Sequence, residues 1–242
     1  MPRRGRLLRV YVDAFTRLEL AAVLAALTLL AAVAWPVLAQ TKPRAQRVTC
    51  ANNLAWIGRA VHQWGSEHGD RIPVRVPMAD GGAYQHPLDS QLWFQFGLMS
   101  NELVTPKVLA CPSDPVARVA RDFTMDPWGG FFSASYRNNA VSYMLGLDAF
   151  FDFPNAILAG DRNLEWLALG SSCSSGVRNA AAINTSPSDP RPAWTMNLHP
   201  GTGNLLLIDG RVEETSTARL RQVRTLSWDD NGVVHFLTPR YP

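Results

Sequence analysis

His199 and Asp209 stand with nine residues between them, and Gly210 follows at once. An imidazole and a carboxylate returned to each other across a hairpin could hold a metal ion, but two ligands do not complete a site. Asp-Gly is also a turn former in its own right. The preferred reading of His199, Asp209 and Gly210 is therefore structural, with no metal expected. Asp229, Asp230 and Asn231 offer oxygens suited to Ca²⁺. They lack the periodic spacing and distal carboxylate of a dedicated loop, so a turn is the better reading. Cys50, Cys111 and Cys173 are too few for a disulfide-built scaffold. One bridge and one odd thiol would suit a body outside the cytoplasm. Cys50 and Cys111 could staple a helix to the body; two buried thiols are the alternative, and Cys173, in a polar stretch, is the odd one.

No catalytic constellation accompanies these groups. There is no G-x-S-x-G, no HExxH, no phosphate loop and no CxxC. His62, His68, His86 and His235 are scattered, without carboxylates at ligand spacing. The tryptophans suit a core better than a sugar platform. The expectation is a protein that is not an enzyme and needs no cofactor. Net charge is +3, and Arg3, Arg4, Arg6 and Arg9 exceed that by themselves. The rest is near neutral, which argues against a nucleic-acid partner.

Glu19 is the remaining group with chemistry to explain. It heads an apolar run from Leu20 to Ala39, 20 residues, which is long enough to cross a bilayer as a helix. A carboxylate inside hydrocarbon costs about 2.5–3.5 kcal/mol at mid-bilayer and less near the interface, so Glu19 calls for a partner. An ordinary secretory signal competes with this reading, because Val37-Leu38-Ala39 before Gln40 has the small-residue cleavage pattern. The run is longer than a usual signal core, and Glu19 would have no purpose in a discarded segment.

Ala14-Phe15-Thr16-Arg17-Leu18-Glu19 resembles the N-terminus of type IV prepilins and type II secretion pseudopilins. The resemblance implies that a prepilin peptidase cuts between Ala14 and Phe15 and that the new amine is methylated. It further implies that Glu19 engages the amine of a neighbouring subunit and that Pro36 kinks the stem. Ala14 replaces the usual glycine and Arg17 the usual apolar residue. Within the body, His199-x9-Asp209-Gly210, Cys50-x-x-Asn53-Leu54, Cys111-Pro112-Ser113-Asp114 and the stretch from Ile157 to Asn163 resemble landmarks of large pilin-like families in planctomycete and verrucomicrobial bacteria.

The elements that must position these groups follow from periodicity. Val48, Ala51, Leu54, Ala55, Gly58, Val61 and Trp64 recur at helical spacing, with Gly69 as C-cap. The expected organisation is a basic leader over 1–14, a long helix over 15–68 and a globular domain over 69–242. The helix would be transmembrane over about 18–39 and amphipathic over about 44–68. Strands are expected within 135–147 and 156–159, and a hairpin with a two-residue type I′ turn at Asp209-Gly210. A short helix should follow over 216–224 and a strand should end near Leu237.

The expected fold class is α+β and pilin-like: a long, partly transmembrane N-terminal helix packed on a domain with an antiparallel sheet. The expected place is the bacterial inner membrane, single-pass, with the C-terminal domain in the periplasm or outside. The expected function is a pseudopilin-like subunit of a type II secretion or type IV pilus-like assembly. Its partners would be the inner membrane, other pilin-like subunits and the prepilin peptidase. The alternative is a single-pass anchored binding protein with a pilin-type stem that forms no filament.

Overall fold

The structure is a computed structural model. It describes residues 16–165, 168–170, 177, 180–184, 192–223 and 233–239, with the backbone alone described at 33–41, 168–170 and 184. These residues divide into two compact units at Arg44/Ala45, and each is described by itself.

Helix α1 spans Arg17–Glu67. Its start is set by a reciprocal cap. The Glu19 carboxylate accepts from Thr16 N at 2.8 Å, and Thr16 Oγ1 accepts from Glu19 N at 3.2 Å. This is the capping box that Thr-x-x-Glu encodes. Its end is set by Gly69 at φ +69°, with Asp70 N and His68 N both donating to Gly65 O. That left-handed residue after the last turn is the usual glycine stop.

In the first unit Leu18, Leu20, Val23, Leu24, Leu27, Leu29 and Leu30 are all exposed. The expected membrane span is overturned: no helix among the described residues is long and apolar enough to cross a membrane. The partly transmembrane fold class and the single-pass inner-membrane location are corrected by this finding.

In the second unit the α1 face that packs inward is Cys50, Leu54, Ile57, Gly58, Val61, Trp64 and Gly65, at spacings of three and four. Val48, expected on that stripe, is exposed. Nearby lie the short helices α2 (Leu92–Leu98) and α3 (Ser100–Leu103). The strands are β1 (Tyr143–Gly146), β2 (Ile157–Asp161), β3 (Leu164–Glu165), β4 (Ala168–Gly170), β5 (Ala180–Asn184), β6 (Ala193–Trp194), β7 (Thr202–Leu207), β8 (Val212–Ser216) and β9 (Val233–Leu237). Seven of them form an antiparallel sheet in the order β4-β5-β9-β1-β2-β7-β8, and β3 pairs with β6 apart from it. Only Tyr143–Gly146 of the expected 135–147 segment is strand, because Arg137–Ala140 turns as a 3₁₀ helix.

Alternation along β7 assigns the two faces. Leu206 joins the core beneath α1, while Leu205 and Leu207 join a second core on the opposite face. On β2 the register shifts between Ile157 and Ala159. This bulge puts Leu158 and Ala159 in the same core, where strict alternation would separate them. The second core is closed by α4 (Thr217–Val223), through Leu220 and Val223, and by Trp194 of β6. Ser216 Oγ accepts from Arg219 N and caps α4.

The β7–β8 connection differs from the expected turn. Gly210 is at φ +87°, while Asp209 is not left-handed. Gly210 N donates to Leu207 O and Leu207 N to Arg211 O. The loop is a three-residue type I turn closed by a left-handed glycine, not a two-residue type I′ turn that would need positive φ at both central positions.

Candidate functional site

Four stretches far apart in sequence meet at one buried place. The α1 helix presents Cys50. The chain leaving the 3₁₀ turn Pro106–Leu109 presents Cys111 and Asp114. The end of β2 presents Asp161, followed by Arg162 and Asn163. The loop entering β7 presents His199.

Cys50 and Cys111 are joined as a disulfide, with Cα atoms 5.1 Å apart and a sequence separation of 61. His199 Nε2 lies 3.7 Å from Cys111 Sγ and 3.6 Å from Asp161 Oδ2. All four residues are buried. Asp161 Oδ2 accepts from Asn204 N at 2.7 Å and from Asn204 Nδ2 at 2.9 Å. Asp161 Oδ1 is buried without a hydrogen-bond partner.

Burial pushes the Asp161 carboxyl up to about 7, against the opposing bonds from Asn204. Burial, with the charge of Arg47, lowers His199. The same desolvation therefore drives both groups toward their neutral forms.

The surroundings fix the loop and the β2 end. Asn163 Nδ2 faces three carbonyls, of Thr195, His199 and Thr202, at 3.3, 3.4 and 3.0 Å. Arg162 holds Asp114 with two prongs, Nε to Oδ2 at 2.7 Å and Nη2 to Oδ1 at 2.8 Å. Ser142 Oγ adds a third bond to Asp114 at 2.8 Å. Burial alone would raise the Asp114 carboxyl, but the bonds from Arg162 and Ser142 outweigh it and hold the group below its ordinary value.

His199 and Asp209, weighed as a metal pair and read as structural, do not meet. Asp209 and Gly210 serve the turn, and Asp209 accepts from Arg211 N at 3.0 Å and from Arg211 Nε at 2.6 Å. His199 belongs instead to the cysteine and Asp161 cluster. His235 does have a carboxylate neighbour, contrary to expectation: its Nδ1 is 2.9 Å from Asp148 Oδ2 in the buried interior. Ala14, Phe15, Cys173, Asp229, Asp230 and Asn231 lie outside the described residues.

Asp161 and its supports were missed as site residues. The Gly160-Asp161-Arg162-Asn163 stretch entered the reading only by resemblance, because no local spacing links it to His199. Thr16-x-x-Glu19 was a legible capping pattern that went unread.

Among the described residues, Cys50, Cys111 and His199 are the one group whose donor atoms could gather on a metal ion, all within 4.8 Å of one another. Sulfurs bonded to each other are not thiolate ligands, so the group is a covalent staple beside an imidazole as it stands. A cavity of ≈ 390 Å³ reaches Cys111 and Asp114, lined also by Thr49, Asn53, Lys107 and Val108. No protein-family model, no curated protein and no solved structure matches this chain.

Proposed function

We propose that the chain is a pilin-like assembly subunit, of the kind that serves a type II secretion or type IV pilus-like system. The observation that carries this reading is Glu19 at the head of an α1 segment whose large side chains, Leu18 through Leu30, are all exposed. An apolar surface of that extent calls for cover, and the stems of neighbouring copies supply it by helix-to-helix packing. The bonds from Thr16 N, and then from Thr16 Oγ1, lower the pKa of Glu19 and so favour its charged form. Both bonds fall on Oε2. Oε1 is then the oxygen that meets a neighbour's cationic amine, once a prepilin-type peptidase has freed the amine of Phe15. Among packed apolar stems that pairing is strong, because an unpaired charge is costly there.

The body supports the reading by its construction. A staple and a two-pronged ion pair tie the α1 half and the sheet into a rigid unit, which suits a subunit that repeats in an assembly. Mass spectrometry of the native N-terminus tests the proposal. A chain beginning at a methylated Phe15 supports it, and a chain beginning at Gln40 removes it.

A further inference from the structure

We propose that reduction of the Cys50–Cys111 bond converts the buried cluster into a Zn²⁺ site, with the Cys50 and Cys111 thiolates and His199 Nε2 as its core ligands and the adjoining Asp161 carboxylate swinging in as the fourth. The inference concerns the body alone and does not depend on assembly by the stem.

The donor spacing fits. With Zn–S near 2.3 Å and Zn–N near 2.0–2.1 Å, ligand atoms on a tetrahedral ion sit roughly 3.3–3.8 Å apart. The 3.7 Å from His199 Nε2 to Cys111 Sγ matches two donors sharing an ion, and the 3.6 Å to Asp161 Oδ2, long for a hydrogen bond between nitrogen and oxygen, sets that carboxylate beside the group. Cys50 Sγ is within the same 4.8 Å group. Once the covalent bond is gone, each sulfur has to move by about 1 Å to reach the separation that tetrahedral zinc requires.

The Asp161 carboxylate beside the group is the independent observation. Asp161 Oδ1 is buried and lacks a hydrogen-bond partner. A buried carboxylate oxygen with nothing to bond is costly, and a cation removes that cost. The supports of a metal site are also present. Asn204 N and Nδ2 hold Asp161 by its other oxygen, and Asn163 Nδ2 bonds the carbonyl side of the His199 loop. A cavity of ≈ 390 Å³ reaches the Cys111 side of the bond.

The step balances with a dithiol as reductant. The S–S bond of Cys50–Cys111 takes two electrons and two protons and becomes two thiols, while the dithiol closes to its own disulfide. Zn²⁺ then displaces the two thiol protons to solvent. The two states exclude each other: a staple when oxidised, a metal centre when reduced.

The test uses the full chain carrying Cys173→Ser, so that the odd thiol takes no part. The bond is reduced with a phosphine, which becomes its oxide with water as the oxygen source. The excess is removed, and the protein is titrated with Zn²⁺ and separately with Co²⁺. Expected are one ion per reduced chain, none per oxidised chain, and the intense visible bands of tetrahedral cobalt with a thiolate charge-transfer band. His199→Gln should weaken binding at least tenfold, and Asp161→Asn should weaken it while leaving the thiolate band. If reduction unfolds the body, one equivalent of Zn²⁺ restoring its circular dichroism also supports the site. No stoichiometric ion on the reduced chain, unfolding that zinc fails to reverse, or His199→Gln binding as tightly as its parent would overturn the proposal.

Discussion

Arg162 and Asp114 grip each other through two parallel bonds, at 2.7 and 2.8 Å, with both side chains nearly removed from solvent. One comes from the end of β2 and the other from the turn after Cys111, so this pair sets the sheet against the segment that carries the staple. Removing one partner strands the other charge in the interior. Asp114→Ala should therefore cost about 3–5 kcal/mol in urea unfolding. Arg162→Met should cost a similar amount by itself, and the double substitution should cost less than the sum of the two.

The same carboxylate sets the acid limit of the body. Asp114 titrates below its ordinary value in the folded chain and near 3.9 when unfolded. Its contribution is fully present above about pH 4 and is lost as pH falls through the folded pKa, because there the unfolded state binds more protons. Urea midpoints measured from pH 7 down to pH 2 should drop steeply at the acid end. The drop should be shallower in Asp114→Asn, whose side chain does not titrate.

The Cys50–Cys111 bond closes a loop with a sequence separation of 61. In the chain-entropy account a loop of that size contributes about 4 kcal/mol. Cys111→Ser, compared with the parent under oxidising conditions in the absence of metal, should lose that order of stability. Peptide mapping without reductant should show the linked pair in the parent. Recovery of both thiols alkylated from the oxidised protein would contradict the staple.

Gly210 supplies the left-handed residue that closes the β7–β8 turn, at φ +87° with open space around the missing Cβ. Strain in the backbone, not a clash, is then the penalty for a side chain. Gly210→Ala should cost roughly 1–2 kcal/mol, and Gly210→Asn clearly less, since Asn tolerates that region. Asp209→Gly should cost less than Gly210→Ala, because Asp209 does not need positive φ in this turn. Thermal unfolding of the three variants separates these outcomes.

How far the fold and the site were legible depends on whether the signal was local. The α1 stripe, the Gly69 stop and the β7–β8 hairpin are written in near neighbours, and so were readable. The bulge at Ile157 and Ala159 was not, because it depends on the partner strand. His199 illustrates the limit best. Its spacing to Asp209 suggested a pair, but the turn sends Asp209 to Arg211, and the loop sends His199 to Asp161, from a different strand. Local pattern counts residues along the chain, whereas this site is assembled by pairings across the sheet and by the docking of α1. The membrane span is also corrected. Hydropathy alone proposed a run of 20 residues, while no helix of the described residues is long and apolar enough to cross a membrane.

Glu19 has two roles to separate, capping its own helix and meeting a neighbour's amine. Glutamine can replace glutamate in a capping box but carries no charge, so Glu19→Gln keeps the first role and removes the second. The decisive measurement is site-specific crosslinking between copies, with a photoreactive side chain at Leu27 of the exposed face. The parent, Glu19→Gln and Glu19→Ala are compared in cells. The account predicts crosslinked stems in the parent and a loss of at least several-fold in both variants. Stems that crosslink as well in Glu19→Gln as in the parent would show that the charge is not an assembly contact and would contradict the account.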